Sequence, residues 1–510
     1  MSARSITFRL TALSTALAFV LTGCVPSSSE HDASPDPSNA AEATQTDDPE
    51  LQEYYSQQVE WTKCASIIEC AEIEVPLSYD APQDQSITLS LNRRSVEGAQ
   101  GNLLINPGGP GGSGLDMVTG SVQTMLSNDL QRAYNIIGFD PRGVGQSTPV
   151  TCQTDEETDE GRQENLKAWE PADRDELEAG VEDYAQDCAQ NTGDLLGHVD
   201  TVSAAKDMDI IRAVLGDTQL DYLGYSYGTF LGATYADLFP SKVGRFVLDG
   251  AMDPTATAQQ LTLAQAEGFE GEIDAWLQSC LESVNCPFAG TLDEAKTQLQ
   301  DFFAEIEEQP LTSSDGRTVP IIDFINGFIL PLYDDVNWPY LTDAMASAMQ
   351  GDVDQILYFS DLAADRQDDG SYASNSTAAF TAINCLDRPM DASEASMEAD
   401  AQELLAASPT IGKYLAYGDI TCDKWSYDAT GQPETLDAAG SNDILVVGTT
   451  GDPATPYAWS QSLAEQLESA TLLTYEGHGH TAYGRSNQCI TDAVDGYLID
   501  GEVPQTDTVC

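Results

Sequence analysis

Gly224-Tyr225-Ser226-Tyr227-Gly228 is the stretch on which the reading of this chain turns. A short apolar run, Leu220-Asp221-Tyr222-Leu223, precedes it. Thr229-Phe230-Leu231-Gly232-Ala233-Thr234-Tyr235-Ala236 follows and reads as a helix with a packed face. Strand, tight turn and helix are what a Gly-x-Ser-x-Gly nucleophile elbow needs. The turn is so sharp that the positions flanking the serine must be small, and the serine Oγ is pushed into the open. Five residues of this kind also recur in ordinary Gly-rich turns, so the weight falls on their surroundings.

Outward from the elbow, strands alternate with helices. Ser86 to Asn92 alternates polar and apolar, as an antiparallel strand with one wet face does. Asn102 to Asn106 is a buried strand that opens into Pro107-Gly108-Gly109-Pro110-Gly111-Gly112-Ser113-Gly114. Tyr134 to Asp140 is another, followed by Pro141-Arg142-Gly143-Val144-Gly145-Gln146-Ser147. Asp200-Thr201 caps a helix in which Ala204, Met208, Ile211 and Leu215 recur at helical spacing, and Gly216 stops it. Further strands are predicted at Arg245 to Asp249, Ile444 to Gly448 and Ala470 to Tyr475. The class is therefore α/β, a mostly parallel central sheet with helices on both faces.

Asp249 and Ile444 are about 195 positions apart, whereas a strand–helix–strand crossover needs only about 30 residues. An insertion interrupts the sheet. Leu263, Ala266, Phe269, Ile273 and Leu277 share one helix face, and Leu299, Phe302 and Ile306 another. These place a helical cap at 256–395, between a first core part at 58–255 and a second at 396–510. The apolar run Ile321 to Tyr333 is broken by Asp323, Asn326, Gly327 and Pro331, and suits the core of that cap better than a membrane span.

At the N-terminus, Arg4 and Arg9 precede an apolar run from Leu10 to Leu21 that is too short for a comfortable span. It ends in Leu21-Thr22-Gly23-Cys24, which resembles a bacterial lipobox. That resemblance implies a signal peptide over 1–23, a lipid-modified Cys24, and an extracytoplasmic protein anchored to the membrane surface, partly released to the medium. Residues 24–57 are rich in Ser, Pro, Asp, Glu and Ala and are expected to be a flexible tether.

The 510 residues include 84 acidic and 21 basic side chains, a net charge of −63. Such a field excludes nucleic acid and anionic lipid headgroups as partners, and its plainest consequence is solubility. With Cys24 assigned to lipid, ten of the 11 cysteines remain, an even number in an oxidising setting. Sequence does not fix their connectivity. The arrangement closing the shortest loops pairs Cys64 with Cys70, Cys152 with Cys188, Cys280 with Cys286, Cys385 with Cys422, and Cys489 with Cys510. The acidic stretch between Cys152 and Cys188 reads as a surface excursion clipped by its disulfide. No Cys-x-x-Cys occurs and no cysteine neighbours a histidine, so no metal site is expected.

Hydrolysis by a serine requires a base, a carboxylate to orient it, and donors for the developing oxyanion. Four histidines are present. His31 lies in the tether, His198 precedes the capped helix, and His478 and His480 follow the last strand, where a base on this sheet belongs. Either could serve. His478-x-His480 has no evident third metal ligand. Asp452, in Gly451-Asp452-Pro453-Ala454-Thr455-Pro456, follows the preceding strand and supplies the carboxylate. The order Ser226, Asp452, His480 is that of the hydrolases with this elbow. The Gly-rich 106–114 loop lacks the Lys-Ser/Thr ending of a phosphate cradle and suits close backbone approach to a reacting carbonyl. Arg142 reads as a structural ion pair.

Taken together, Asn106 to Gly114, Asp140 to Ser147, Gly224 to Thr229, Gly451 to Tyr457 and Gly479-His480-Thr481 resemble the α/β-hydrolase peptidases related to prolyl iminopeptidase, and most closely the secreted tripeptidyl aminopeptidase branch of actinobacteria. The resemblance covers nearly the whole chain after the leader. It implies the α/β-hydrolase fold, Ser226 as nucleophile, Asp452 as acid, and His480 as base. It also implies the backbone N–H groups of Gly109 and Tyr227 as oxyanion donors. No cofactor is called for. The substrates would be peptides with free N-termini, with an esterase or lipase using the same triad as the alternative. A binding protein on a hydrolase scaffold has no need of the triad, and epoxide hydrolases and dehalogenases of this kind carry Asp where Ser226 stands. Prolyl iminopeptidases have His-Gly-Gly-Pro-Gly and favour Trp after the nucleophile, where this chain has Asn106-Pro107 and Tyr227, so strict proline specificity does not carry over. An aminopeptidase must also hold the substrate ammonium. Asp387, in a stretch resembling the Ile-x-Cys-x-Asp of the tripeptidyl branch, is the expected amine ligand.

Overall fold

The computed structural model describes residues 43–46 and 48–510; the leader and Cys24 lie outside them. Ten strands form one sheet in the order β1-β2-β3-β5-β4-β6-β7-β10-β11-β12. They are β1 (Thr62–Lys63), β2 (Glu69–Pro76), β3 (Ser86–Arg94), β4 (Gly101–Asn106), β5 (Tyr134–Phe139), β6 (Leu220–Tyr225), β7 (Val243–Asp249), β10 (Ile444–Gly451), β11 (Ala470–His478) and β12 (Thr508–Val509). The first edge is antiparallel through the β3–β5 pair, and everything from β5 to β12 is parallel. This is the α/β-hydrolase architecture. The parallel strands are buried on both sides and read as continuous apolar runs, as in Leu103-Leu104-Ile105 and Leu445-Val446-Val447, which are fully buried.

The parallel register brings the C-terminal ends of β4, β6, β7 and β10 to one edge. Asn106 lies beside Gly224, Tyr225 beside Asp249, and Asp249 beside Val447. Every loop expected to carry chemistry leaves the sheet there. The helix Thr201–Leu215 packs beneath, capped by the Asp200 carboxylate accepting from Ser203 N–H at 2.9 Å and closed by Gly216 in the left-handed region.

The insertion between β7 and β10 is helical, with a two-residue-wide hairpin of β8 (Leu311–Thr312) and β9 (Thr318–Val319). Its core is aromatic. Phe328 meets Trp276 edge-on at 5.5 Å and Phe303 at 5.1 Å. The helix Ile321–Ile329 lies inside this core. Two boundaries differ from expectation. Cap helices continue past 395, through Glu394–Ala407 and Ile420–Asp423. The first of these buries only Met397 and Leu404, too sparse a stripe to be noticed in sequence. The helix Ser376–Asp387 packs with Tyr227 in the sheet's own core, through Ala379, Ala382, Ile383 and Leu386.

The expected tether also ends earlier than 57. A short helix, Gln52–Tyr55, buries Tyr55, whose hydroxyl donates to Asp209 at 2.7 Å, while the Tyr54 hydroxyl donates to the Pro82 carbonyl at 2.7 Å. Two adjacent tyrosines with reachable acceptors pin a segment whose average composition reads as unstructured. The excursion after Cys152 is no free loop either. Its Arg162 pairs with Asp323 and Asp361 of the cap. All five expected disulfides are present. Among the described residues no helix is long and apolar enough to cross a membrane.

Candidate active site

Ser226 sits between β6 and the helix Tyr227–Leu238 with φ 55° and ψ −125°, a backbone conformation rare for a non-glycine residue. Its amide donates to the Asp249 carbonyl at 2.9 Å. The Gly-rich loop after β4 presses on this turn. A Cβ at Gly108, where φ is +94°, would lie 2.5 Å from the Tyr225 carbonyl oxygen and 2.9 Å from the Ser226 Cβ. Across the same contact a Cβ at Gly228 would lie 2.8 Å from Asn106 Oδ1. Only glycine permits this approach.

Asp452 follows β10 directly and is buried. Its Oδ1 accepts from Ala454 N–H at 3.0 Å and Thr455 N–H at 2.8 Å. Its Oδ2 accepts from Thr455 Oγ1 at 2.9 Å and Thr481 N–H at 3.0 Å. Against this fixed carboxylate lies His480, with Nδ1 at 2.9 and 3.1 Å from the two oxygens. The His480 amide donates to the Tyr333 carbonyl at 2.7 Å, and the Tyr333 ring stands edge-on to the imidazole at 5.4 Å. The imidazole is thus clamped by β10 on one side and the cap on the other, with Nε2 free. Among the described residues neither Ser226 Oγ nor His480 Nε2 has a hydrogen-bond partner, the other included. Such contacts in unliganded hydrolases often close only around substrate.

His478, the other histidine of this loop, is turned elsewhere. Its Nδ1 meets Glu272 Oε1 of the cap at 2.8 Å, and Trp338 flanks its ring. Burial pushes the Glu272 carboxyl up to about 7.

The N–H groups of Gly109 and Tyr227 also lack acceptors among the described residues; Tyr227 follows Ser226 in the chain and Gly109 lines the same cavity as the serine. Each surrounding loop is tied down by a buried carboxylate. Asp140 accepts from Ser113 Oγ at 2.6 Å and Gln146 N–H at 2.8 Å, bracing the Gly-rich loop. Asp249 accepts from Ala482 N–H at 2.9 Å and Tyr483 N–H at 2.7 Å, fixing the turn just past His480. Burial raises Asp249 to about 7. Arg142 is structural, fully buried with two bonds of 2.7 Å to Asp207.

Asp387 does not do what the sequence led us to expect. Its carboxylate is 4 % exposed and spent on Thr201, accepting from N–H at 2.7 Å and from Oγ1 at 2.6 Å. Thr201 Oγ1 in turn meets the Tyr227 hydroxyl at 2.5 Å. Asp387 therefore braces the elbow from behind, through Thr201, and is not an amine ligand. Burial raises it to about 7. Its neighbours Asn384, Cys385 and Arg388 line a cavity of about 310 Å³ that Ser226, Gly109 and Thr455 also line. The carboxylates facing that cavity are Asp400 and Asp419. Neither stood out in sequence: Asp400 is one of several acids in Glu398 to Glu403, and Asp419 belongs to no recognisable motif. Among the described residues no group of His, Cys, Asp or Glu is arranged to hold a metal ion.

Comparison with known proteins agrees with this geometry. The family model described as TAP-like protein, Abhydrolase_4, matches residues 408–510. Serine protease Hip1 of Mycobacterium tuberculosis (strain ATCC 25618 / H37Rv) is 35% identical over 478 residues, covering 89% of this chain and 91% of that protein. Carboxylesterase B of the same strain is 35% identical over 473 residues, covering 89% and 90%. The tripeptidyl aminopeptidase of Streptomyces lividans is 31% identical over 471 residues, covering 89% and 86%.

Proposed function

Because the chain belongs to the α/β-hydrolase serine peptidases related to tripeptidyl aminopeptidase, we propose that it releases short peptides, tripeptides above all, from free N-termini through an acyl-enzyme. The observation that carries this is the cavity. Ser226 and two carboxylates, Asp400 and Asp419, line one space of about 310 Å³, room for a few residues and no folded chain. Burial raises the Asp419 carboxyl, and the nearby Asp400 charge raises it further. A cationic ammonium beside the pair would favour both carboxylates in their charged form.

In this reading Ser226 Oγ attacks the scissile carbonyl carbon while His480 Nε2 takes its proton. Asp452 keeps Nδ1–H in place and stabilises the imidazolium. The Gly109 and Tyr227 N–H groups receive the oxyanion. The tetrahedral intermediate collapses as His480 returns the proton to the leaving amine, and the C–N bond breaks. Water, deprotonated by His480, then attacks the ester, and Ser226 leaves with the proton. Asp400 and Asp419 hold the substrate ammonium and so set how many residues reach Ser226.

One observation favours a second reading, ester hydrolysis: Met252, Leu261, Met397 and Leu404 give the same cavity an apolar lining. Purified protein should be tested on a tripeptide anilide with free and with acetylated N-terminus, and on a short acyl ester. Cleavage of the free-amine anilide, blocked by acetylation and weakened by Asp400→Asn or Asp419→Asn, supports the aminopeptidase. Ester turnover with no anilide cleavage overturns it. Attachment to the membrane through a lipid on Cys24 is a further part of the proposal. It rests on the leader sequence.

A further inference from the structure

Among the described residues Arg388 is an anomalous cation. In the fully buried Arg142 and Arg212 every guanidinium nitrogen has an acceptor. Arg142 spends its guanidinium on Asp207 and on the carbonyls of Pro76, Leu77 and His198. Arg212 spends its own on Asp209 and on the carbonyls of Ala43 and Asp217. Arg388 is 4 % exposed, yet only its Nε–H has an acceptor, the Ala256 carbonyl at 3.2 Å. Its Nη2 is buried with no hydrogen-bond partner, and the guanidinium forms no ion pair among the described residues. It lines the cavity that holds Ser226.

The side chain is also held where it is. Arg388 ends the helix Ser376–Asp387, its amide donating to the Asn384 carbonyl at 3.3 Å. Asp387, one residue back, is locked on Thr201, and Cys385 is bonded to Cys422. Its guanidinium lies over the Phe230 ring at 4.6 Å, on the elbow helix itself. A pre-aimed guanidinium with unused N–H groups in a water-poor site is a large unmet demand for an oxygen acceptor.

Charge decides which acceptor. Asp387 and Asp253 already bear on Arg388 electrostatically, and Asp400 and Asp419 face the same cavity. In a chain of net charge −63, a second anion would enter against that field, whereas a neutral carbonyl would not. We propose that Arg388 is a specificity-determining residue that donates from Nη1, the η nitrogen that is not fully buried, to a main-chain carbonyl oxygen of the bound peptide, between the ammonium end and the bond cut at Ser226. This rests on the peptidase reading above. It adds a backbone anchor that is indifferent to substrate side chains and useless to a small ester.

The experiment is a cycle of variant against substrate. Arg388→Met should lower kcat/KM on free-amine tripeptide anilides by about 10- to 100-fold, as loss of one charge-assisted hydrogen bond does. The loss should be similar for alanine, glutamine and glutamate side chains, and short acyl ester turnover should fall far less than anilide cleavage. Substrates with one peptide carbonyl replaced by methylene should then be assayed on both proteins. At one position the wild type should lose about as much as the variant did, and the variant nothing further. Equal losses in both proteins at every position overturn the proposal. A defect confined to substrates with acidic side chains would overturn it too, in favour of a side-chain carboxylate. Should Arg388→Met not fold, Arg388→Lys, which keeps the charge and stem, is put through the same cycle and judged by the same outcomes. If the wild type cleaves esters and no peptide anilide, the peptidase reading has failed instead.

Discussion

Replacing Asp452 two ways separates orientation of the base from support of the loop. In Asp452→Ala three buried backbone donors, Ala454, Thr455 and Thr481 N–H, lose their acceptor. Each orphaned donor costs about 1–3 kcal/mol, so the loss is on the order of 3–9 kcal/mol. That is comparable with the ~5–15 kcal/mol that holds a native domain together. Asp452→Asn should be far gentler on the fold. Its remaining oxygen can stay on Ala454 and Thr455 N–H, and Thr455 Oγ1 can rotate to accept from the new NH₂. Only Thr481 N–H then faces a donor, at about 1–3 kcal/mol. Catalysis should fare differently. An amide offers His480 Nδ1 no charge and can hold the wrong tautomer, an effect worth about 10⁴-fold in kcat where a triad operates. The expected pattern is an Asn variant that melts near wild type with ~10⁻⁴ of its kcat, and an Ala variant that melts much lower. Thermal unfolding by circular dichroism and hydrolysis of a free-amine tripeptide anilide read the two effects. An Asn variant with more than a tenth of wild-type kcat, or an Ala variant melting with wild type, would refute the reasoning.

His478→Ala should keep kcat within about tenfold of wild type, because its ring serves Glu272, while His480→Ala should be inactive; the reverse pattern in the anilide assay exchanges their roles. Asp387, raised to about 7 in the fold, binds its proton more tightly folded than unfolded, so its contribution is full below the ordinary carboxylate range and is lost as pH rises through about 7. Asp387→Asn should therefore flatten the fall in melting temperature between pH 5 and pH 8, and an unchanged slope would count against the burial argument. Non-reducing peptide mapping should find only the five pairs of the structure, and free or crossed cysteines would contradict it. Cys24→Ser should abolish partitioning into detergent, and unchanged partitioning would remove the lipid anchor.

The expected strands were legible because a parallel sheet buried on both faces leaves uninterrupted apolar runs. The antiparallel β2 was overlooked although Ala71, Ile73 and Val75 alternate with Glu72 and Glu74, a period-two pattern masked by three closely spaced glutamates. The position of the candidate residues at the strand ends was legible for a similar reason. Ser226, Asp452 and His480 each leave a strand or its following turn at the sheet's C-terminal edge, so knowing the strands locates them. Asp387 was misjudged because a motif names a residue and not the direction of its side chain. On the helix Ser376–Asp387 that direction is set by Thr201, 186 positions away in sequence. Arg388 was not singled out as a binding residue because a cation declares itself by what it lacks, and an absent partner has no sequence signature.

The loops around Ser226 share one device. Asp140, Asp249, Asp387 and Asp452 are all buried, and each accepts backbone N–H bonds from a loop or helix start that must hold a functional group still. Loops at the end of a sheet leave amide donors that no ladder pairs, and a carboxylate with four lone-pair sites is the densest acceptor a side chain supplies. Burial makes such a group expensive to ionise, and Asp140, Asp249 and Asp387 are all raised for that reason first. Asp452 differs in facing an imidazole as well as amides. The same residue type thus fixes the Gly-rich loop, the elbow and the histidine turn, and holds the His480 imidazole at the fourth position. What sets Asp452, the proposed catalytic acid, apart from the other three is that both its oxygens face His480 Nδ1.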